Sequence, residues 1–301
     1  MEEGLRHRRS LYRMRYLPLA GFLVLSLLWG SSWVLRASGP LQPPLRSLAI
    51  QYGISAAVLL PWAIYRRFWR RPLLSIVNAV IVGIGILCLP QLLIFFSKDK
   101  LSPTISVAVL STVPVFLAVS GRLAISTAVG GLAGILFLFD RGLDISVRQS
   151  LWLLPPLAAA GVLAWALAAA ERHLQTISIV EALFGQCTVF ALALFIASQL
   201  LEHETVMWSA AATFGFAINS AFTTVCGYLL FYWFLSKSGA GRASMLQWTQ
   251  PLVATAESVL LMSTRPDWTA ILGATLIVIA IARGFSNGDD SGGVIFEITR
   301  S

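Results

Sequence analysis

The stretch 245–262, MLQWTQPLVATAESVLLM, holds polar side chains inside an otherwise apolar segment. At helical spacing, Gln247, Gln250 and Glu257 fall on one face of the helix that this stretch predicts. Two amides and a carboxylate on one face can hydrogen-bond a polar solute, contact its cationic part or exchange a proton. A charge near the centre of a membrane-crossing helix costs about 2.5–3.5 kcal/mol, so it normally faces a bundle interior or a wet cavity. We therefore predict that the other helices form a wall around this face.

The composition is that of an integral membrane protein. Of the 301 residues, 57% are hydrophobic and only 12% are charged, whereas about a quarter of a soluble domain is charged. The net charge of +8 does not indicate a nucleic-acid partner, because the basic residues stand in short runs between apolar stretches, without a nucleic-acid-binding motif. The three cysteines lie in apolar stretches, and the sequence predicts neither a metal site nor a cofactor. The expected surroundings of the chain are the lipid bilayer.

Ten apolar stretches have close to the roughly 20 residues that a membrane-crossing helix needs. They lie at about 16–35, 47–65, 74–96, 103–120, 123–139, 152–170, 178–200, 208–234, 242–262 and 267–283. Together they predict an all-α integral membrane protein of ten transmembrane helices, with little chain left for a soluble domain. The basic segment 1–16 precedes them, and the segment 285–301, rich in Gly, Ser and Asp, predicts a disordered tail.

The basic residues predict how the chain is oriented in the cell membrane. With a cytoplasmic N-terminus, the inner segments hold 15 of the 22 Lys and Arg residues, and such an excess is typical of cytoplasmic loops. The seven outer residues are Arg36, Arg46, Lys98, Lys100, Arg141, Arg148 and Arg265. Both termini of this multi-pass protein are therefore predicted to be cytoplasmic.

The two halves of the chain resemble each other. An offset of 136 residues lays Trp29 on Trp165, and an offset of 137 lays Gln91 on Tyr228. Because each half holds five predicted spans, an odd number, the second half enters the membrane from the opposite side. Inverted repeats of this kind are typical of transporters, whose binding site lies near the midplane where the repeats meet.

Two segments carry a resemblance to a known family. The segment Trp29-Gly30-Ser31-Ser32 looks like the W-G-S opening of that family, and 228–251, YLLFYWFLSKSGAGRASMLQWTQP, resembles its most recognisable segment. On these residues the chain is identified as similar to the drug/metabolite transporter superfamily, of the type built from two EamA repeats, over residues 17–284. It departs from the family at Gln51-Tyr52, where an Arg is common, and it lacks the Glu that often follows the fourth and ninth helices.

The resemblance implies two inverted five-helix repeats, at 17–148 and 149–284. It also implies a transporter of a small organic metabolite, amino-acid-like or amphipathic, that works by alternating access at a central cavity between the repeats. For bacterial relatives the family-level expectation is export. Neither the direction of transport nor the oligomeric state follows from the sequence.

The predicted substrate-binding residues are polar or aromatic side chains on the faces that the repeat and the resemblance single out. They are Trp29, Ser32, Gln91, Ser111, Trp165, Tyr228, Tyr232, Gln247, Trp248 and Gln250. Aromatic side chains with polar tips suit an organic ligand. Two alternatives stay open, since tryptophans also anchor helix ends at the membrane surface and Gln91 can bond to the backbone of a neighbouring helix.

Glu257 is the predicted coupling residue, acting on protons or on a cationic part of the substrate. Its repeat-mate, six residues after Pro114, is the neutral Ser120. The alternative is that Glu257 lies close enough to the outer surface for ordinary hydration, or pairs with Arg265. Pro114 and Pro251 predict kinks that free a backbone carbonyl, in either a moving or a static helix.

Two other acids have structural interpretations. Glu181 follows Ser178 by three residues, which is the spacing of a helix capping box. Glu171 and Arg172 stand at the cytoplasmic end of the sixth predicted helix, where their charges are expected to reach water. Neither acid is therefore predicted to bind substrate.

An enzyme and a scaffold are the rival classes. The three histidines lie at termini or in loops, and the sequence shows no phosphate-cradling loop, so an enzyme is disfavoured. A non-transporting scaffold or a channel is the alternative to a carrier. Solute counterflow separates them, because only a carrier exchanges solute across an otherwise sealed membrane.

Overall fold

A computed structural model describes residues 17–31, 43–140, 147–173, 177–262 and 266–286, and within these ranges all regular secondary structure is helical. The helices are α1 Leu17–Ser31, α2 Pro44–Tyr65, α3 Leu73–Ser97, α4 Pro103–Val119, α5 Ile125–Leu138, α6 Leu154–His173, α7 Ile179–Leu201, α8 Ala212–Ser244, α9 Leu246–Met262 and α10 Trp268–Ser286. Short 3-10 turns lie at Phe68–Arg70 and Val147–Leu153. The described part of the chain thus confirms the predicted all-α fold.

Six of these helices are long and apolar enough to cross a membrane, namely α2, α3, α6, α7, α8 and α10. Helices α1, α4 and α5 are apolar but shorter, and α9 has 17 residues with Pro251 in its interior. Helical turns continue past residue 234 as far as Ser244, but they are interrupted at Gly239, whose φ of 78° and ψ of 167° are not helical, so the loop expected after residue 234 is reduced to a break at this residue. Glycine adopts a positive φ of this kind without steric cost.

Helices from the two halves pack side by side in pairs, α2 along α7 and α5 along α10. Glycines allow the closest approach of α5 and α10. A Cβ added at Gly273 would lie 2.6 Å from the carbonyl oxygen of Gly134 and 2.5 Å from the backbone nitrogen of Leu138. Because lipid tails are as apolar as the helices themselves, backbone contact of this kind is a main source of helix association in membranes.

Helices α3 and α8 each contain a π-helical segment, at Ile84–Cys88 and Asn219–Cys226. Widened turns of this kind are rare and often lie at functional sites. Side chains from other helices donate to the carbonyls of both segments. The Tyr52 hydroxyl lies 3.4 Å from the oxygen of Leu87, and Trp29 Nε1 lies 3.2 Å from the oxygen of Thr223.

Buried carboxylates hold both ends of the α2–α7 pair. Glu181 accepts a hydrogen bond from the backbone of Ser178 at 3.3 Å, so the predicted capping box is confirmed. The same carboxylate also forms a 2.9 Å ion pair with Arg71, which the sequence did not predict. At the opposite end, Glu202 accepts from the backbone nitrogens of Leu45 and Arg46 at 2.7 and 2.8 Å, so it satisfies the first turn of α2.

Glu171 does more than reach water. One of its carboxylate oxygens accepts a hydrogen bond from the backbone of Ala240, and the other lies 3.5 Å from Nε of Arg122. A Cβ at Gly241 would lie 1.9 Å from the carbonyl oxygen of Arg122, so the α4–α5 connection lies directly on α8. The Glu171 side chain is 30% exposed, in line with the expectation that its charge reaches water, and the break at Gly239 adds the Ala240 backbone N–H as a partner that the sequence did not predict.

Candidate functional site

A cavity of about 300 Å³ lies among helices of both halves, a volume at the lower end of the range for ligand pockets. Side chains of α1, α2, α3, α4, α6, α8 and α9 line it. Its polar or charged lining residues are Gln51, Gln91, Lys98, Ser106, Thr223, Thr224, Gln247 and Gln250, and its aromatic ones are Trp29, Tyr52, Tyr228 and Phe231. The rest of the described lining is aliphatic or proline.

Three aromatic rings form one wall of this cavity. The Trp29 ring centroid lies 5.1 Å from that of Tyr228 and 5.2 Å from that of Phe231. The hydrogen bond from Trp29 to Thr223 fixes the indole, and Gly227 leaves room for it, because a Cβ there would lie 2.6 Å from Trp29 Nε1. A rigid aromatic wall of this kind offers a large contact area to an organic ligand.

Amide side chains supply most of the polarity of the cavity. Gln51 donates to Thr224 Oγ1 at 2.7 Å, which fixes its amide across the α2–α8 interface. The side chains of Gln91 and Gln247 form no hydrogen bond with any other described residue. Both are therefore able to donate to, and accept from, a ligand.

Five of the sequence-predicted binding residues line the cavity, namely Trp29, Gln91, Tyr228, Gln247 and Gln250. They come from α1, α3, α8 and α9, so the structure brings together residues from both repeats. Ser32 lies outside the described residues. The other four predicted residues do not line the cavity.

Trp165 and Tyr232 lie on other faces of their helices. Trp165 is 56% exposed on α6, which instead presents Leu163 and Leu167 to the cavity. The ring of Tyr232 is fully buried, and its hydroxyl donates to Gln186 Oε1 at 2.7 Å. On α8 the cavity residue that follows Tyr228 is Phe231, at spacing i+3 rather than i+4.

Ser111 and Trp248 are in direct contact, and they are 137 positions apart, the same offset that pairs Gln91 with Tyr228. Trp248 Nε1 donates to the carbonyl oxygen of Ser111 at 2.9 Å, and the Ser111 hydroxyl donates to the carbonyl oxygen of Val107 at the same distance. A Cβ at Gly131 would lie 2.4 Å from the Trp248 ring, so this indole fills a slot in α5. Both residues join α4 to α9 away from the cavity wall.

The coupling candidate Glu257 is half-buried and does not belong to the described cavity lining. The hydroxyl of Ser31, at the end of α1, donates to its carboxylate. Its alternative partner Arg265 lies outside the described residues. Of the two prolines, Pro251 lies inside α9, and Pro114 is the second residue of the second part of α4, which begins at Val113 after an interruption at 111–112.

Several lining residues were not predicted from the sequence, and Gln51 and Lys98 are the most polar of them. Gln51 could have been predicted to face the bundle interior, since an amide in an apolar stretch needs hydrogen-bond partners, as Gln91 does. Lys98 could not have been predicted to line the cavity, because a lysine at the end of a span is typical of a surface loop.

This protein has helices long enough to span a membrane, and they surround a cavity lined by aromatic rings and amides between the two halves. This arrangement is typical of membrane transport proteins. The model of the EamA-like transporter family matches this chain twice, at residues 17–139 and 152–283. The chain belongs to the EamA-like transporter family and is a multi-pass membrane protein.

Known proteins agree with this assignment. The uncharacterized transporter YoaV of Bacillus subtilis (strain 168) is 23% identical over 282 residues, which cover 87% of this chain and 94% of that protein. A protein of known crystal structure superposes with a TM-score of 0.74 at 18% identity, over 89% of this chain and 96% of that one. This second likeness shows the fold alone.

Proposed function

We propose that this transporter moves a small amphipathic organic metabolite, amino-acid-like in size, by alternating access at the cavity between the repeats. The observation that carries the proposal is the cavity itself. The Trp29, Tyr228 and Phe231 rings suit an apolar body, and the amides of Gln91 and Gln247 suit polar groups. Its lining comes from helices of both matched regions, as alternating access requires.

The proposed topology has ten membrane crossings, formed by inverted repeats at 17–148 and 149–284. Support comes from the two family matches and from the cross-repeat pairing of α2 with α7 and α5 with α10. The excess of Lys and Arg in alternate segments supports cytoplasmic termini. In this orientation the α3–α4 connection is on the outer side and the Glu171 contacts are on the cytoplasmic side.

The two ends of the cavity differ, which supports a conformation that is closed toward the cytoplasm. At the α3–α4 end, the lining residues Lys98 and Pro103 are exposed. At the opposite end Ala243 is buried, close to the point where Gly241 packs on the carbonyl oxygen of Arg122. Export is the direction that we propose, from the family-level expectation for bacterial relatives, and the outward-facing conformation is the one from which an exporter releases its solute.

The central experiment has two steps. Comparing metabolites retained by cells that lack and cells that overproduce the protein supplies candidate solutes, and counterflow in proteoliposomes then tests them. We expect a labelled solute to accumulate only when unlabelled solute is present on the opposite side. Equilibration of the labelled solute that is not stimulated by unlabelled solute on the opposite side would indicate a channel, and no flux of any solute would indicate a scaffold.

Topology is tested independently with reporters at Ser301. We expect a fluorescent-protein fusion there to fluoresce and an alkaline phosphatase fusion to be inactive, because both termini are proposed to be cytoplasmic. An active phosphatase at Ser301 would contradict the inverted-repeat arrangement.

A further inference from the structure

The cavity holds a positive charge that its family assignment does not predict. Lys98, at the end of α3, is the charged residue among the described lining residues. Its Nζ lies 4.2 Å from the ring centroid of Phe95, a cation–π contact that holds the ammonium beside the cavity. Within the described part of the chain, Lys98 has no ion pair with a carboxylate. Its charge is therefore open to an anionic ligand.

Lys98 shares a helix face with another lining residue. Gln91, Ile94 and Lys98 lie at positions i, i+3 and i+7 of α3, and all three line the cavity. Seven residues of helix rise by about 10 Å. An amide and an ammonium thus stand about two turns apart along one wall, with an aliphatic residue between them.

The sign of the charge decides which solutes fit. The described lining contains no Asp or Glu, and Glu257, the residue that the sequence offered for a cationic group, bonds instead to Ser31. A cationic ligand would meet Lys98 without a compensating carboxylate on the described wall. An organic anion would find a cationic partner, with an aromatic surface for its body.

We propose that the cavity binds organic monocarboxylates that carry an aromatic or apolar body, with the carboxylate at Lys98 and the body against Trp29, Tyr228 and Phe231. This inference rests on the proposed function, since it names the chemical class of the transported solute. The competing role of Lys98 is contact with a lipid phosphate, which lysines at helix ends also make.

The test compares three probes that share one ring and differ in charge, namely phenylacetate, phenylacetamide and phenethylamine. Binding is measured with the full-length protein in nanodiscs of zwitterionic phosphatidylcholine. We expect the wild type to bind phenylacetate about 10-fold more tightly than either of the other probes, because a charge-assisted contact is worth at least this factor. Lys98→Gln should abolish the preference, and Lys98→Arg should keep most of it.

Lys100→Gln is the matched control. Lys100 lies two residues further along and does not line the cavity, and its Nζ is 5.9 Å from the ring centroid of Trp152. It should bind all three probes as the wild type does. Equal loss of the preference in Lys98→Gln and Lys100→Gln would indicate a general surface-charge effect and would overturn the inference.

Three other results would also overturn the proposed anion site. The first is binding of phenylacetamide or phenethylamine by the wild type as tightly as phenylacetate, or more tightly, and the second is failure to bind any probe. The third is retention of the preference for phenylacetate in Lys98→Gln, which is expected if Lys98 contacts lipid. Counterflow of a neutral or cationic solute alongside any of these results would leave the transporter assignment intact. Selective, Lys98-dependent binding without counterflow of any solute would instead keep the anion site and refute transport.

Discussion

Helices α3 and α8 occupy corresponding positions in the two repeats, and both contain a π-helical segment, although their sequences there differ. The π segments Ile84–Cys88 and Asn219–Cys226 begin 135 residues apart, although IGILC and NSAFTTVC have little in common. The neighbouring helices also carry corresponding glutamines, Gln51 in α2 and Gln186 in α7, at the same offset of 135.

The two glutamines serve different purposes. Gln51 lines the cavity and donates to Thr224. Gln186 is fully buried, donates to the carbonyl oxygen of Ala79 at 2.8 Å and accepts from the Tyr232 hydroxyl. The internal repeat therefore positions backbones alike, whereas side-chain size and partners decide which half opens into a cavity and which half closes into an interface.

Substitution of Trp29 and of its repeat-mate Trp165 should give the largest difference in exchange rate between the repeats. Trp29→Ala removes the ring that packs on Tyr228 and Phe231, so we expect the rate of solute exchange to fall about 30-fold, equivalent to roughly 2 kcal/mol of binding energy. Its repeat-mate change Trp165→Ala, on an exposed face, should leave the rate within a factor of two. Exchange rates in proteoliposomes measure both variants.

The Trp29→Phe variant controls for loss of the fold, because it keeps an aromatic ring and should retain an intermediate rate. If Trp165→Ala slows exchange as much as Trp29→Ala does, then the cavity is more symmetric than the structure indicates.

The glutamines provide a test of stability. Gln186→Leu leaves the Tyr232 hydroxyl and the Ala79 carbonyl without their partner in a fully buried place, so we expect the free energy of unfolding to drop by about 1–3 kcal/mol. Gln51→Leu should cost less than about 1 kcal/mol, since it leaves one polar partner, Thr224, which borders the cavity, and hydrogen bonds between membrane helices average about 0.6 kcal/mol. Unfolding in mixed micelles measures both, and a larger loss for Gln51→Leu would contradict the division of roles.

The fold followed from the sequence further than the site did. Long apolar stretches are strong signals because the membrane fixes the length of a span, and the helices lie where those stretches predicted. The break predicted after residue 234 lies at Gly239, whereas the helical turns on either side of it, which reach Ser244, were not predicted.

The cavity lining was harder to predict because helical spacing does not fix which neighbouring residue faces inward. Tyr232 and Phe231 are both plausible neighbours of Tyr228, at i+4 and i+3, and contact with Gln186 on another helix draws Tyr232 away. The π segment ahead of them also rotates the following residues by an amount that no local pattern reveals. Whether Lys98 lines the cavity depends entirely on where the end of α3 packs, which the sequence does not indicate.

Glu257 and its repeat-mate Ser120 test whether coupling is confined to the second repeat. Glu257→Gln keeps the shape and the contact with Ser31 but removes the negative charge, so we expect exchange to slow by up to about 10-fold, because a hydrogen bond to a charged group is worth about this factor. Ser120→Ala should leave the exchange rate unchanged. A wild-type exchange rate in correctly inserted Glu257→Gln would remove the coupling role.

The smallest expected effect concerns the cytoplasmic end, where Glu171 joins segments of both repeats. Glu171 accepts from Ala240 of the second repeat and pairs with Arg122 of the first, whereas the residue 136 positions earlier, at the outer end of the first predicted span, is Leu35. Glu171→Leu gives both repeats the same residue type and removes a half-exposed ion pair and one backbone contact, together worth about 1 kcal/mol. A bias of that size changes the ratio of two conformations about fivefold.

If these contacts close the cavity toward the cytoplasm, Glu171→Leu should favour the state that is open there. A cysteine placed by Gln247→Cys in a Cys226→Ser background reports this state through its labelling by an impermeant maleimide in inside-out vesicles. We expect labelling about fivefold faster in Glu171→Leu and unchanged labelling in Arg172→Leu, whose exposed side chain stands next to Glu171. Equal labelling in the parent protein, Glu171→Leu and Arg172→Leu would mean that the Glu171 contacts stabilise the helix ends but do not oppose opening of the cavity toward the cytoplasm. The difference between the repeats would then be confined to the cavity wall.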